Sequence, residues 1–168
     1  MRFSRTGTFL EDKIKNPARL KCILEKLKAA GKSIVFTNGC FDLIHYGHVK
    51  YLEEAKKKGD ILVVALNSDS SIRKIKGKNR PLVNQKDRLR VVAALQSVDF
   101  VTLFHEDTPY KIIKRLSPDV LIKGADWKIK DIVGRDIVLA RGGRVSTIKL
   151  TARRSTSNLI NQIVKKFS

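Results

Sequence analysis

The stretch Ser33-Ile34-Val35-Phe36-Thr37-Asn38-Gly39-Cys40-Phe41-Asp42-Leu43-Ile44-His45-Tyr46-Gly47-His48 runs from an apolar segment through turn formers into a His-x-Gly-His sequence. Ser33 to Thr37 is a short apolar run of buried-strand type, closed by Asn38-Gly39. A helix is predicted from about Gly47 to Lys58, stopped at Gly59. Ile61 to Leu66 is an uninterrupted apolar strand, the kind that is buried on both faces of a parallel sheet. Working outward, residues 18–30 place Leu20, Ile23, Leu24 and Leu27 at helical intervals, ending at Gly31. Further helices are predicted at Asp87–Gln96, Thr108–Leu116, Ile132–Ala140 and Thr156–Phe167, and strands at Phe100–Phe104, Val120–Ile122 and Val145–Ile148. Strands alternating with helices imply right-handed crossovers and a doubly wound parallel sheet, an α/β/α sandwich. The division expected is an N-terminal lead-in with a helix over 1–32 and one domain over 33–168. Asn67 to Lys86, dense in Lys, Arg and Ser, is the longest region with no clear strand and reads as a functional loop.

Composition narrows the function. The chain has 168 residues, 35 Lys plus Arg against 16 Asp plus Glu, and a net charge of +19. That length suits one domain with one core, and an apolar share of 42% excludes a disordered or collagen-like chain. No apolar run approaches the roughly 18 residues of a spanning helix, and the first residues lack a secretory signal's apolar core. Cys22 and Cys40 are too few for a disulfide framework, so a reducing, cytoplasmic setting is expected. The charge invites a nucleic-acid-binding reading, but the basic residues are spread along the chain with few aromatics between them. An anionic small substrate fits the same sign.

After the first strand, neither a G-x-G-x-x-G fingerprint nor a P-loop is present. In their place His45 and His48, three apart, share one face of a helix's first turn, where unpaired N–H groups and the helix dipole attract anions. Two neutral imidazoles there can donate hydrogen bonds to phosphoryl oxygens without a buried charge. Gly47 leaves room for close approach to the backbone, and Gly39 permits the tight turn. Other readings remain open: a metal held by the two histidines and Cys40, a purely structural His pair, and an Asp42 that only stabilises the turn. For Trp127, packing is favoured over base stacking, and His105 is read as a surface residue without a role. Arg88, taken alone, could pair with Asp87 or Asp99 on the surface.

The segment TNGCFDLIHYGH resembles the nucleotidyltransferase superfamily with a His-x-Gly-His signature, in its cytidylyltransferase-like branch. The segments LVVALNSDSSIRKIKG, RPLVNQKDR, LQSVDFVTLFHEDTP, PDVLIKGADW, DIVGRDIV, GGRV and RSTSNLI are similar to the heptose 1-phosphate adenylyltransferases of that branch. The likeness runs from about Ser33 to Ile160. It implies a Rossmann-like fold and transfer of AMP from ATP to D-glycero-D-manno-heptose 1-phosphate, releasing pyrophosphate, within lipopolysaccharide biosynthesis. It also implies a Mg²⁺ ion carried mainly by the phosphates, with Asp42 or Asp126 as candidates to orient its waters.

By the same resemblance His45 and His48 contact the triphosphate and stabilise the transition state, with Lys76 on a mobile loop and the helix residue Arg88 as further catalytic groups. Thr37, Asn38, Gly39, Cys40 and Phe41 match the loop along the phosphates. Lys123, Gly124 and Asp126 match the stretch bordering the nucleotide, and Ser155, Thr156 and Ser157 match a second signature near the β- and γ-phosphates. Asp42, Asn67, Asp69 and Lys76 match substrate-side positions. Two departures stand out: Ser157 replaces a threonine, and Leu150 stands where relatives using CTP and glycerol phosphate carry arginine. A cytidylyltransferase acting on CTP and glycerol 3-phosphate is the alternative enzyme, and a basic nucleic-acid-binding module is the non-enzyme alternative. A separate heptose kinase, a homodimer or larger assembly, and no membrane association are expected alongside.

The chemistry stands without the family. A sugar phosphate attacking the α-phosphorus in line is already an anion, so it needs positioning and charge neutralisation rather than a strong base. The chain offers imidazoles, lysines, arginine and hydroxyls, with no paired-carboxylate constellation.

Overall fold

The computed structural model describes residues 10–149 and 156–167. The element order is α1 (Leu10–Lys13), α2 (Pro17–Ala29), β1 (Ile34–Gly39), α3 (Tyr46–Lys56), β2 (Ile61–Asn67), α4 (Asp69–Lys76), α5 (Gln85–Ala93), β3 (Phe100–Phe104), α6 (Tyr110–Leu116), β4 (Val120–Gly124), a 3₁₀ turn (Ile129–Asp131), α7 (Arg135–Leu139), β5 (Arg144–Ile148) and α8 (Thr156–Phe167). The five strands pair in parallel in the order β3-β2-β1-β4-β5. The order reverses between the neighbouring strands β1 and β4, and such a switch point opens a crevice at the carboxyl ends of the strands. This is the Rossmann-like α/β fold expected from the alternation of elements.

Strand residues alternate between two cores. Val35, Leu62, Val64, Leu66 and Ile122 pack with Leu52 and Ala55 of α3 and Val92 and Ala93 of α5 on one face. Ile34, Phe36, Val63, Ala65 and Leu121 pack with Leu20 and Leu24 of α2, Ile112 and Ile113 of α6 and Val138 of α7 on the other. A strand that buries side chains on both faces has no polar positions to spare, which explains the unbroken apolar run of β2. The helix of the 1–32 lead-in therefore belongs to this second core. Asn16 caps it by accepting from the Arg19 N–H at 2.9 Å, and Pro17 opens it. Among the described residues, no helix is long and apolar enough to cross a membrane.

Two expectations about local structure need correction. The helix predicted over Ile132–Ala140 begins only at Arg135. Gly134 sits at φ +85°, and a Cβ there would lie 2.7 Å from Ile113 Cδ1, so the chain turns before it coils. Asn67–Lys86 is not all loop, because it holds α4. Ser68 caps that helix by accepting from the Ser71 N–H, Ile72 is buried, and Gly77 at φ +94° ends it.

Candidate active site

β1 delivers the chain to the crevice and α3 leads it away, so residues 38–42, with His45, Gly47 and His48, form the floor of a cavity of about 390 Å³. The first turn of α3, with His45 at its N-cap position, borders this floor. His45 and His48 lie on it as a stacked pair, ring centroids 4.0 Å apart and planes 29° apart. Phe41 supports His48 from the side at 5.4 Å. Phe41 itself adopts φ +47°, a left-handed conformation that costs a non-glycine residue energy and is held by the surrounding packing. Burial, with the nearby His45 as a lesser cause, lowers the His48 pKa to about 4, so this imidazole is neutral at physiological pH. Its Nδ1 is buried and has no hydrogen-bond partner among the described residues.

This depressed value carries a prediction for stability. Between about pH 6.5 and pH 4 the unfolded chain takes up a proton that folded His48 refuses, so stability is complete above pH 6.5 and declines as pH falls towards 4. Urea midpoints measured across that range should fall more steeply for the native protein than for His48→Gln. Equal slopes would show that His48 is not held neutral by the fold.

The rest of the lining comes from several elements. Asn38, Gly39 and Cys40 continue β1 into the floor. Burial pushes the Cys40 thiol up, so it stays protonated, and among the described residues no three ligands gather to hold a metal. Lys76 at the end of α4 and Arg80 beyond it reach one wall, and Lys123, Gly124, Asp126 and Trp127 form another at the end of β4. Lys123 donates towards Asn38 O at 3.4 Å and stands 5.3 Å over the Trp127 ring. Burial lowers its pKa, against the opposing charge of Asp126. Thr156 and Ser157 close the rim from α8, with Thr156 Oγ1 donating to Leu43 O at 3.3 Å. Ser155, with Leu150 and the residues between, lies outside the described residues.

Several expected site residues stand elsewhere. Thr37 is fully buried under the floor, sharing a hydrogen bond of 2.8 Å with Tyr51 of α3, and does not line the cavity. Asp42 borders the cavity, but its carboxylate accepts from Arg80 Nε at 2.7 Å, Leu82 N at 3.0 Å and Val83 N at 2.9 Å. Burial alone would raise its pKa, yet these donors outweigh burial and hold it below the ordinary value. Asp42 is thus a latch between the His loop and residues 80–83, poorly placed as a metal ligand.

Arg88, expected to close over the site, is 1% exposed and does not line the cavity. Its guanidinium donates to Cys40 O at 2.5 Å, Asn67 O at 2.9 Å, Val83 O at 3.0 Å and Asp69 Oδ1 at 2.8 Å. Its carboxylate partner is therefore Asp69, and neither Asp87 nor Asp99. Asp69 and Asn67 belong to the same bracket and are also absent from the lining: Asp69 accepts from Gln85 N, and Asn67 Nδ2 donates to Ser71 Oγ at 3.0 Å. Trp127, read as packing, is instead 45% exposed on the cavity wall. Arg80 and Tyr51 were missed. Tyr51 stands three residues after His48 on α3, a spacing that marks a shared face, whereas Arg80 sits in a basic run with nothing to single it out.

For Mg²⁺ the cavity offers one suitable side chain. Asp126 is exposed there and makes no hydrogen bond or ion pair among the described residues, which suits a cation held chiefly by phosphate oxygens and water. The arrangement as a whole presents an imidazole pair, neutral at His48, at its centre and cations on two walls, a pattern of charge that suits an anionic ligand.

Known proteins share this framework. The model of the family "Cytidylyltransferase-like" matches residues 36–160. Bifunctional protein HldE of Citrifermentans bemidjiense is 50% identical over 157 residues, covering 94% of this chain and 32% of the relative. That of Geobacter metallireducens is 50% identical over 155 residues, covering 92% and 32%. The chain thus spans about a third of the length of these relatives. Among solved structures, the lipopolysaccharide core biosynthesis protein from Thermoplasma volcanium is 33% identical with a TM-score of 0.60, covering 72% of this chain and 98% of the other. The match takes in most of β1, the His loop, every later strand and the opening of α8, and on that basis the chain belongs to the cytidylyltransferase-like family.

Proposed function

We propose that this chain is a nucleotidyltransferase that moves AMP from ATP to D-glycero-D-manno-heptose 1-phosphate, giving ADP-heptose and pyrophosphate. The observation that carries the proposal is the stacked imidazole pair, neutral at His48, at the start of α3 beneath a cation-walled cavity. The sugar specificity rests on the segments that are similar to heptose 1-phosphate adenylyltransferases. The HldE relatives and the solved neighbour, a lipopolysaccharide core biosynthesis protein, support the same reading.

In this reaction a phosphate oxygen of the sugar 1-phosphate forms a bond to the α-phosphorus. The bond from that phosphorus to the bridging oxygen breaks, and pyrophosphate departs with the electron pair. No proton needs removing from the nucleophile. His45 and His48 donate N–H groups to phosphate oxygens as negative charge builds, and being aligned in advance they require no reorganisation at that moment. Lys76, Arg80 and Lys123 neutralise the flanking phosphates, while Thr156 and Ser157 present hydroxyls at the rim. When bound, Mg²⁺ supplies further charge neutralisation among the phosphates, with Asp126 at hand to orient its waters. A heptose kinase supplying the 1-phosphate belongs to the same proposal.

Pyrophosphate release tests the substrates. ATP with D-glycero-D-manno-heptose 1-phosphate should support turnover, and CTP with glycerol 3-phosphate should not; the reverse preference would overturn the assignment. Lys76→Ala removes one exposed phosphate partner, so kcat/KM should drop about tenfold, equivalent to about 1.4 kcal/mol.

A further inference from the structure

We propose that α8 is a peripheral docking element for an anionic lipid surface. The helix has no buried residue, although its apolar side chains are not scattered. At 100° per residue, Leu159, Ile160, Ile163, Val164 and Phe167 fall on one face, and Asn158, Asn161, Gln162, Lys165 and Lys166 on the other. The apolar stripe is progressively uncovered away from the catalytic cavity. Leu159 and Ile160 are half-buried, but Ile163 is 47%, Val164 55% and Phe167 79% exposed. Thr156 ties the first turn to Leu43, while the apolar side chains of the last two turns stand exposed.

Charge and area identify the occupant. The helix contains no acidic residue, carries Lys165 and Lys166 in its last turn, and follows Arg153 and Arg154 in the sequence of a chain of net charge +19. A second copy of this chain would bring the same charge against it. A 12-residue helix is also only about 18 Å long, so a stripe about 10 Å wide offers roughly 200 Å², against the roughly 800 Å² per partner of a stable interface. A lipid surface needs less: a narrow apolar face that sinks among the acyl chains and cations that meet the headgroups. An anionic bilayer therefore fits, and because α8 is too short to span, it would lie in the interface plane.

The test is co-sedimentation of the full chain with vesicles of phosphatidylglycerol and phosphatidylcholine in equal parts, compared with phosphatidylcholine alone. Binding is expected to the first only, weakening as salt rises. Ile163→Asp should lower it more than tenfold, and Lys165→Gln and Lys166→Gln about fivefold each. All three positions lie away from the cavity, so thermal melting followed by circular dichroism and the pyrophosphate assay should match the native protein. The proposal fails if the native chain ignores anionic vesicles. It also fails if Ile163→Asp binds as well as the native chain, since diffuse charge would then suffice. A dimer seen by light scattering and dissociated by Ile163→Asp, with vesicles unbound, would assign the stripe to a second copy.

Discussion

His48→Ala should lower kcat by about 10²–10³-fold while the protein stays folded, the scale seen when one aligned transition-state donor is lost. His48 stands on the cavity floor, stacked on His45 and supported by Phe41, so truncation opens space into an existing cavity and leaves no closed void in either core. The effect should fall on kcat more than on KM for ATP, because the donor matters most when charge develops at phosphorus. His48→Gln, which retains an N–H donor, should recover part of the loss. Near-native turnover in His48→Ala, measured by pyrophosphate release, would remove His48 from the chemistry.

Arg88→Leu should be the most destabilising single change around the site, by about 3–5 kcal/mol, because it removes a buried guanidinium from the half-buried Asp69 carboxylate and from three carbonyls. Arg88 fastens four segments: the His loop through Cys40 O, the end of β2 through Asn67 O, the start of α4 through Asp69, and residue 83 through Val83 O. Leucine leaves three carbonyls and a carboxylate without that donor. Arg88→Lys keeps the charge but cannot fork to four acceptors. It should fold at low temperature and still show a reduced kcat with little change in the KM for the sugar phosphate, because the Cys40 carbonyl is no longer pinned. A stable Arg88→Lys with native kcat would reduce Arg88 to a bystander. Denaturant unfolding combined with kinetics below the melting temperature separates these results.

Much of the fold was legible because one periodicity dominates each element. Phe100–Phe104 and Thr156–Phe167 begin and end where the apolar pattern says. α4 was hidden because its eight residues carry only Ile72 and Ile75 as apolar positions; Ser68 as a cap was its one clear mark. His45 and His48, singled out by spacing, and Lys123, singled out by resemblance, do line one cavity. Arg88, Asp69 and Asp42 direct their polar groups at neighbouring chain segments, mostly across 16 to 48 residues, and no local pattern encodes such bonds. Trp127 was misjudged for the opposite reason. Tryptophan is usually buried, but here a turn donating Trp127 N–H to Gly124 O sets the ring on an open wall.

In the proposed reaction neutral His48 donates an N–H to the triphosphate. Imidazole ¹⁵N resonances of the histidine-labelled protein, recorded at pH 7 while a non-hydrolysable ATP analogue with Mg²⁺ is titrated, address it directly. His48 should be neutral in the free protein, with its protonated nitrogen shifting on binding as its N–H meets a phosphate oxygen and the shift absent in His48→Gln. A His48 signal unmoved at saturating nucleotide would contradict it.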